Sequence, residues 1–207
     1  MLHLMGFQTR MEVLHMRTTC KFILPLVFLL LLLAACGNKY QGDYSVEVKD
    51  FSFTNQDGEN VSKSELDGDF WIADFIFTNC ETVCPPMTSN MANLQTQLKE
   101  AGLDDVRLVS FSVDPDNDTP EKLKEFGESR GASFDNWDFL TGYEFDKIKE
   151  FSIKSFKAPL EIPADSDQVM HSVYFYIISP DGDFIYRFDG RKPDEVKKIV
   201  PTIQDLK

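Results

Sequence analysis

Between Phe70 and Pro85 the chain reads FWIADFIFTNCETVCP, and this stretch limits the available folds most sharply. Phe70 to Phe77 is apolar at both alternating sets of positions, as expected of a strand covered on both faces. Met87, Met91, Leu94 and Leu98 then recur at helical spacing, with Pro85 suited to the first helical position and Gly102 to the residue just past the end. A buried strand therefore passes through a short loop into a helix, and Cys80 and Cys84 sit at that junction. Met87 and Met91 could be read as thioether ligands, but Leu94 and Leu98 continue the same stripe, so all four are expected in the core.

The remaining elements follow from similar signals. Phe51–Thr54 alternates, Asp57-Gly58 marks a hairpin turn and Val61 resumes, giving an N-terminal β-hairpin. Val106–Val113 reads as a strand. Asp118, Pro120 and Glu121 signal a helix start, with Asp118 expected as a cap, and the helix should stop at Gly131. Tyr143 to about Phe156 reads as a helix and Lys157–Met170 as a loop carrying Pro159, Pro163, Asp165 and Asp167. Ser172–Ile178 is a strand, Ser179-Pro180-Asp181-Gly182 a turn, and Phe184–Phe188 its partner. Asp194 to about Gln204 closes as a helix that Pro201 should kink or shorten. A β-α-β unit followed by a β-β-α unit is the order of the thioredoxin fold. The expected class is thus α/β, thioredoxin-like, with an N-terminal β-hairpin extension.

The chain has four cysteines. Cys20 and Cys36 fall in or beside an apolar leader, which leaves Cys80 and Cys84 as a pair. A disulfide closing so small a loop would constrain the unfolded chain little, so redox exchange or soft-metal chelation is the better use of the pair. The dipole of the following helix favours a thiolate. One residue more than C-x-x-C widens the gap between the sulfurs, which suits an ion held between them and still permits a disulfide. Thiolates select Cu(I), Zn(II) or iron–sulfur chemistry. His171 is the one histidine beyond the leader, and it stands where a thioredoxin-like topology brings a loop against the dithiol. Two thiolates and an imidazole suit copper in either oxidation state and are too few for a closed zinc site. Asp74, six residues before Cys80, matches the spacing at which thioredoxins bury a proton-handling aspartate. It is expected to handle protons for the dithiol or to order the surroundings of the ligands.

These residues resemble the Sco/SenC family of copper-binding assembly proteins. Cys80 to Pro85 matches its C-x-x-x-C-P, Ser112–Pro120 (SVDPDNDTP) resembles its S-V-D-P-x-x-D-T-P signature, and His171-Ser172 enters an apolar strand that ends in a P-D-G turn. The resemblance covers roughly Tyr44 to Gln204. It implies copper, Cu(I) or Cu(II), bound by Cys80, Cys84 and His171. It also implies a role in building the copper A centre of cytochrome c oxidase subunit II, as a copper chaperone or as a thiol-disulfide reductase of that site's cysteines. Family members often have proline where this chain has Glu81, which bears on the rigidity of the loop rather than on the ligands. A peroxiredoxin-type peroxidase would need an arginine beside one activated cysteine, and the nearest in sequence is Arg107.

The first forty residues read as an address. Phe22–Ala35 (FILPLVFLLLLLAA) is too short for a spanning helix and right for the apolar region of a signal peptide, with Arg17 and Lys21 as its positive flank. Leu33-Ala34-Ala35-Cys36-Gly37 resembles the bacterial lipobox, so residues 1–35 are expected to be removed and Cys36 lipidated. An uncleaved anchor is the alternative, and either places the body on the outer face of the cytoplasmic membrane. His3, Gln8 and Glu12 break the leader pattern, and Met16 would give a standard start, so 1–15 reads as an over-extended start. Residues 36–44 form a tether and 45–207 a single domain. The formal net charge is −13, and the first 35 residues hold three cations and one anion, so the body is more acidic still. Such a body repels phosphate backbones, which argues against nucleic acid as a partner. The expected partners are the membrane, through the lipid, and oxidase subunit II, with the chain a monomer.

Overall fold

The computed structural model describes residues 39–80, 84–164 and 168–207. The leader, Cys20, Cys36, Glu81, Asp165 and Asp167 lie outside them. The strands are β1 (Val46–Glu47), β2 (Ser52–Thr54), β3 (Asn60–Ser62), β4 (Trp71–Ile76), β5 (Arg107–Ser112), β6 (Trp137–Leu140), β7 (Tyr174–Ile178) and β8 (Asp183–Asp189). The helices are α1 (Cys84–Glu100), α2 (Pro120–Glu128), α3 (Phe145–Phe156), α4 (Pro193–Val196) and α5 (Ile199–Leu206). Six strands form one sheet in the order β1-β8-β7-β4-β5-β6, while β2 and β3 pair separately. β4, β5 and β6 run parallel, and β7 returns antiparallel to β4. This is the expected mixed α/β, thioredoxin-like arrangement with strands added at the N-terminus. No helix among the described residues is long and apolar enough to cross a membrane.

β4 lies between β7 and β5, which explains its composition: all six of its residues are buried. Side chains alternate across it. Phe75 and its register partner Phe111 join Phe51, Phe151 and Phe156 in a cluster of mainly edge-to-face rings. Each buried phenyl contributes about 2 kcal/mol, so this cluster fixes how the hairpin and α3 cover that face. Asp74, one residue earlier, points to the opposite face and pairs in register with Ser110. Met87, Met91, Leu94 and Leu98 are all buried along α1, as a core stripe should be.

Several expectations change. β6 has no counterpart among the predicted elements. Its four buried residues, WDFL, include Asp138, whose charge breaks the apolar run but is met by Arg107 at 2.6 Å and by the Asn55 amide at 3.1 Å. β1, only two residues long, extends the main sheet beside β8. Tyr40 and Tyr44, expected in the tether, pack on Phe70 and Phe184, and the compact unit comprises Tyr40–Lys207. The last helix divides into α4 and α5, so Pro201 falls in the first turn of α5, where a missing N–H costs nothing. The cap of α2 is Thr119, which accepts the Lys122 N–H, and not Asp118.

Candidate metal centre

Strand β4 and helix α1 place the two sulfurs. The chain turns after β4, with the Cys80 N–H donating to Phe77 O at 3.4 Å, and α1 opens at Cys84. The Cys84 N–H, one of the groups an α-helix leaves without an internal acceptor, donates to Cys80 Sγ at 3.3 Å. That bond and the helix dipole favour a thiolate at Cys80. Both cysteines are buried and unoxidised. The Cys84 thiol is pushed strongly up, first by its hydrogen bond with Cys80 and then by burial. The protonated form of Cys84 is therefore favoured.

The imidazole arrives from the other side of the sequence. His171 Nε2 lies 3.2 Å from Cys84 Sγ, across a separation of 87 residues. Nδ1 lies 2.8 Å from Ser172 O, a carbonyl that can only accept, so Nδ1 carries the proton and Nε2 presents its lone pair to the sulfurs. The ring stands edge-on to buried Phe77 at 5.7 Å. The ligand atoms of Cys80, Cys84 and His171 all lie within 4.8 Å of one another. Two soft sulfurs and an imidazole converging in this way can hold a soft or borderline ion, and no carboxylate among the described residues joins the cluster.

Asp74 is fully buried and sits beneath this centre. The Ser110 hydroxyl donates to Oδ1 at 2.6 Å, and the Trp137 indole N–H donates to that hydroxyl at 2.9 Å. Oδ2 has no partner. Burial lifts the carboxyl to about 7, against the Ser110 bond and the attraction of His171, which both lower it. In turn its charge helps to raise Cys84. It exchanges a proton near neutrality within electrostatic reach of two candidate ligands.

One residue that sequence reasoning placed elsewhere also shapes the site. Asp118 is buried rather than capping. Its carboxylate accepts the Thr78 N–H at 3.2 Å, the Thr78 hydroxyl at 2.5 Å and the Ser112 hydroxyl at 2.6 Å, so it ties the segment leading to Cys80 to the end of β5. The Thr119-Pro120 pair is the signal for this: it supplies a cap and a first helical residue without Asp118. Asp114 does serve as a turn residue, its carbonyl accepting from Asn117 and Asp118 and its carboxylate from the Asn117 amide. Gln168, in the loop before His171, donates to Asn79 O at 3.2 Å and holds that loop against the cysteine segment. Cys36 lies outside the described residues.

The family model described as SCO1/SenC matches residues 40–206. A Bacillus subtilis relative, "SCO1 protein homolog", is 52% identical over 175 residues, covering 84% of this chain and 90% of the relative. The solved structure of a SCO1/SenC family lipoprotein from Bacillus anthracis superposes with a TM-score of 0.75 at 42% identity, covering 78% of this chain and 95% of that one. BsSco is described as a Sco-family cytochrome c oxidase assembly protein with a disulfide switch. It gives a TM-score of 0.73 at 47% identity over 82% of this chain and 98% of its own. Arabidopsis thaliana ScoI, solved with copper bound, gives 0.65 at 25% identity over 78% of this chain and 98% of its own.

Proposed function

The chain belongs to the SCO1/SenC family, and from that premise we propose that it binds copper as cargo through Cys80, Cys84 and His171. We further propose that it passes copper to the copper A centre of cytochrome c oxidase subunit II. The observation that carries this reading is the third ligand. His171 has one nitrogen committed to Ser172 O and the other aimed at Cys84 Sγ at 3.2 Å. Dithiol exchange requires no imidazole held in that way, whereas a soft ion gains a ligand from it. Copper in either oxidation state fits two thiolates and an imidazole. As the ion enters, the thiols give up their protons to solvent, and on transfer the sulfurs take protons back.

A second reading is favoured by the same dithiol. A Cys80 thiolate would attack a disulfide in the recipient's copper site and release one recipient sulfur as a thiolate. Cys84 would then resolve the mixed disulfide. Two electrons pass to the recipient, whose two sulfurs leave as thiolates and take their protons from solvent, and this chain ends as a Cys80–Cys84 disulfide. Asp74, lifted to about 7 by burial, is suited to receive the Cys84 proton in that step.

Titration of Cu(I) and Cu(II) into the reduced protein separates the two. Loss of the His171 ligand in His171→Ala should weaken copper binding by about a hundredfold or more while sparing exchange with a small disulfide. Equal copper affinity in wild type and His171→Ala would remove the three-ligand centre and leave the exchanger. The lipobox at Cys36 supports a protein held by lipid on the outer face of the bacterial membrane, with residues 1–35 removed. Replacing Cys36 by Ser should move the protein from the membrane pellet to the soluble fraction.

A further inference from the structure

Beside His171 lies an open cavity of about 250 Å³. Its walls include Lys157, His171, Ser172, Tyr174, Tyr176 and Arg187. Two cations and three hydroxyls at one opening are out of character for a chain with net charge −13. Ten cations among the described residues pair with carboxylates. Arg107 pairs with Asp138, Arg191 and Lys192 with Asp189, and Lys124 with Asp57. Arg187 makes no ion pair among the described residues. Instead its guanidinium lies over the rings of Tyr174 at 4.6 Å and Tyr44 at 5.2 Å. Stacking of this kind orients the planar fork and leaves its N–H edge available. Among the described residues the Lys157 ammonium donates only to the Lys154 carbonyl, at 3.1 Å. Lys157 is also the one non-glycine residue with positive φ among those described, at 54°. A glycine would suit that helix end better, so a lysine there is held against a backbone preference.

We propose that this cavity is a carboxylate-binding subsite that receives an acidic side chain bordering the metal site of the protein with which copper is exchanged. Arg187 supplies a forked, oriented donor set, Lys157 a mobile charge, and His171 the wall shared with the metal centre. The acidic remainder of the chain repels an acidic partner elsewhere, so the attraction at this opening selects the one docking orientation that brings the two metal sites together. The subsite rests on the proposed copper function for its purpose but not for its existence.

The test uses Arg187→Gln, Lys157→Gln and the double variant in the full chain. Copper titration of each comes first, and it should match wild type, since neither residue is among the three ligands. Transfer from the copper-loaded protein to the copper A domain of oxidase subunit II should then fall about tenfold in the double variant at low salt. The difference should disappear at high salt, where surface attraction is screened. Equal low-salt rates for wild type and the double variant would overturn the proposal. If the wild type transfers no copper, the functional reading fails separately and a glutarate titration followed by NMR decides the subsite. Saturable shifts at Tyr174 and Arg187 in wild type, absent in the double variant, support it, and no shift in either overturns it. Arg187→Lys keeps the charge but loses the fork. Recovery of only part of the transfer rate distinguishes directed hydrogen bonding from charge alone.

Discussion

At the scale of single residues, Asp74 is expected to set how the stability of the fold responds to pH. Its folded value of about 7 stands above the ordinary carboxyl value of 3.8, and burial is the main cause. The folded protein therefore holds a proton that the unfolded chain has already lost. Its contribution to stability is fully present below about 4 and is lost as pH rises through 7. Asp74→Asn keeps an oxygen for the Ser110 hydroxyl and removes the titration. The reduced, copper-free wild type should lose on the order of a few kcal/mol in urea unfolding between pH 5 and pH 8, and Asp74→Asn should lose much less. Parallel pH profiles for the two would show that Asp74 does not carry this proton. The position of Asp74 was readable from its spacing to Cys80. Its surroundings were not: Ser110 reaches it, and Trp137 reaches Ser110, only because β5 and β6 line up beside β4 in a particular register. His171 was legible for a different reason. It is the one histidine beyond the leader, so a third ligand of that type had a single candidate.

At the scale of elements, the segment leading to Cys80 is tied to a neighbouring element. Asp118 anchors Thr78 twice and Ser112 once, across 40 residues of sequence. Asp118→Ala leaves three donors in a buried place without an acceptor. It should cost about 2–4 kcal/mol of unfolding free energy and weaken copper binding, because Cys80 loses its fixed approach. Asp118→Asn, which keeps one acceptor oxygen, should recover part of both, as denaturation and copper titration would show. If Asp118→Ala lowered stability but left copper affinity intact, the anchor would be merely structural. The same feature shows where reading by element stops. Buried strands β4, β5 and β7 were visible as long apolar runs. β6 was not, because Asp138 interrupts four residues and its charge is met by Arg107 and Asn55, which are distant in sequence. Asp118 looked like a helix cap because cap chemistry is local, whereas its true acceptor role depends on the meeting of β4 and β5.

At the scale of the whole molecule, the metal centre closes a long circuit. Cys80 and Cys84 belong to one junction of the sheet, His171 belongs to another, and 87 residues separate Cys84 from His171. Two thiols four places apart can chelate copper in the unfolded chain as well, so that part of the affinity does not favour folding. The imidazole is different, since only the folded sheet brings it to the sulfurs. Copper should therefore stabilise the fold by whatever affinity His171 and the prearranged geometry add. If free copper stands about a thousandfold above the folded protein's Kd and the unfolded chain binds weakly, the gain is about 4 kcal/mol, or roughly 10 °C in Tm for a domain of this size. His171→Ala should keep less than half of that rise, although its copper-free Tm should change little, because the ring is only half-buried. Calorimetry of both proteins with and without copper reads the difference directly. An equal copper-induced rise in the two would mean that the sulfurs alone bind the ion, and that the nearness of the imidazole serves some other purpose.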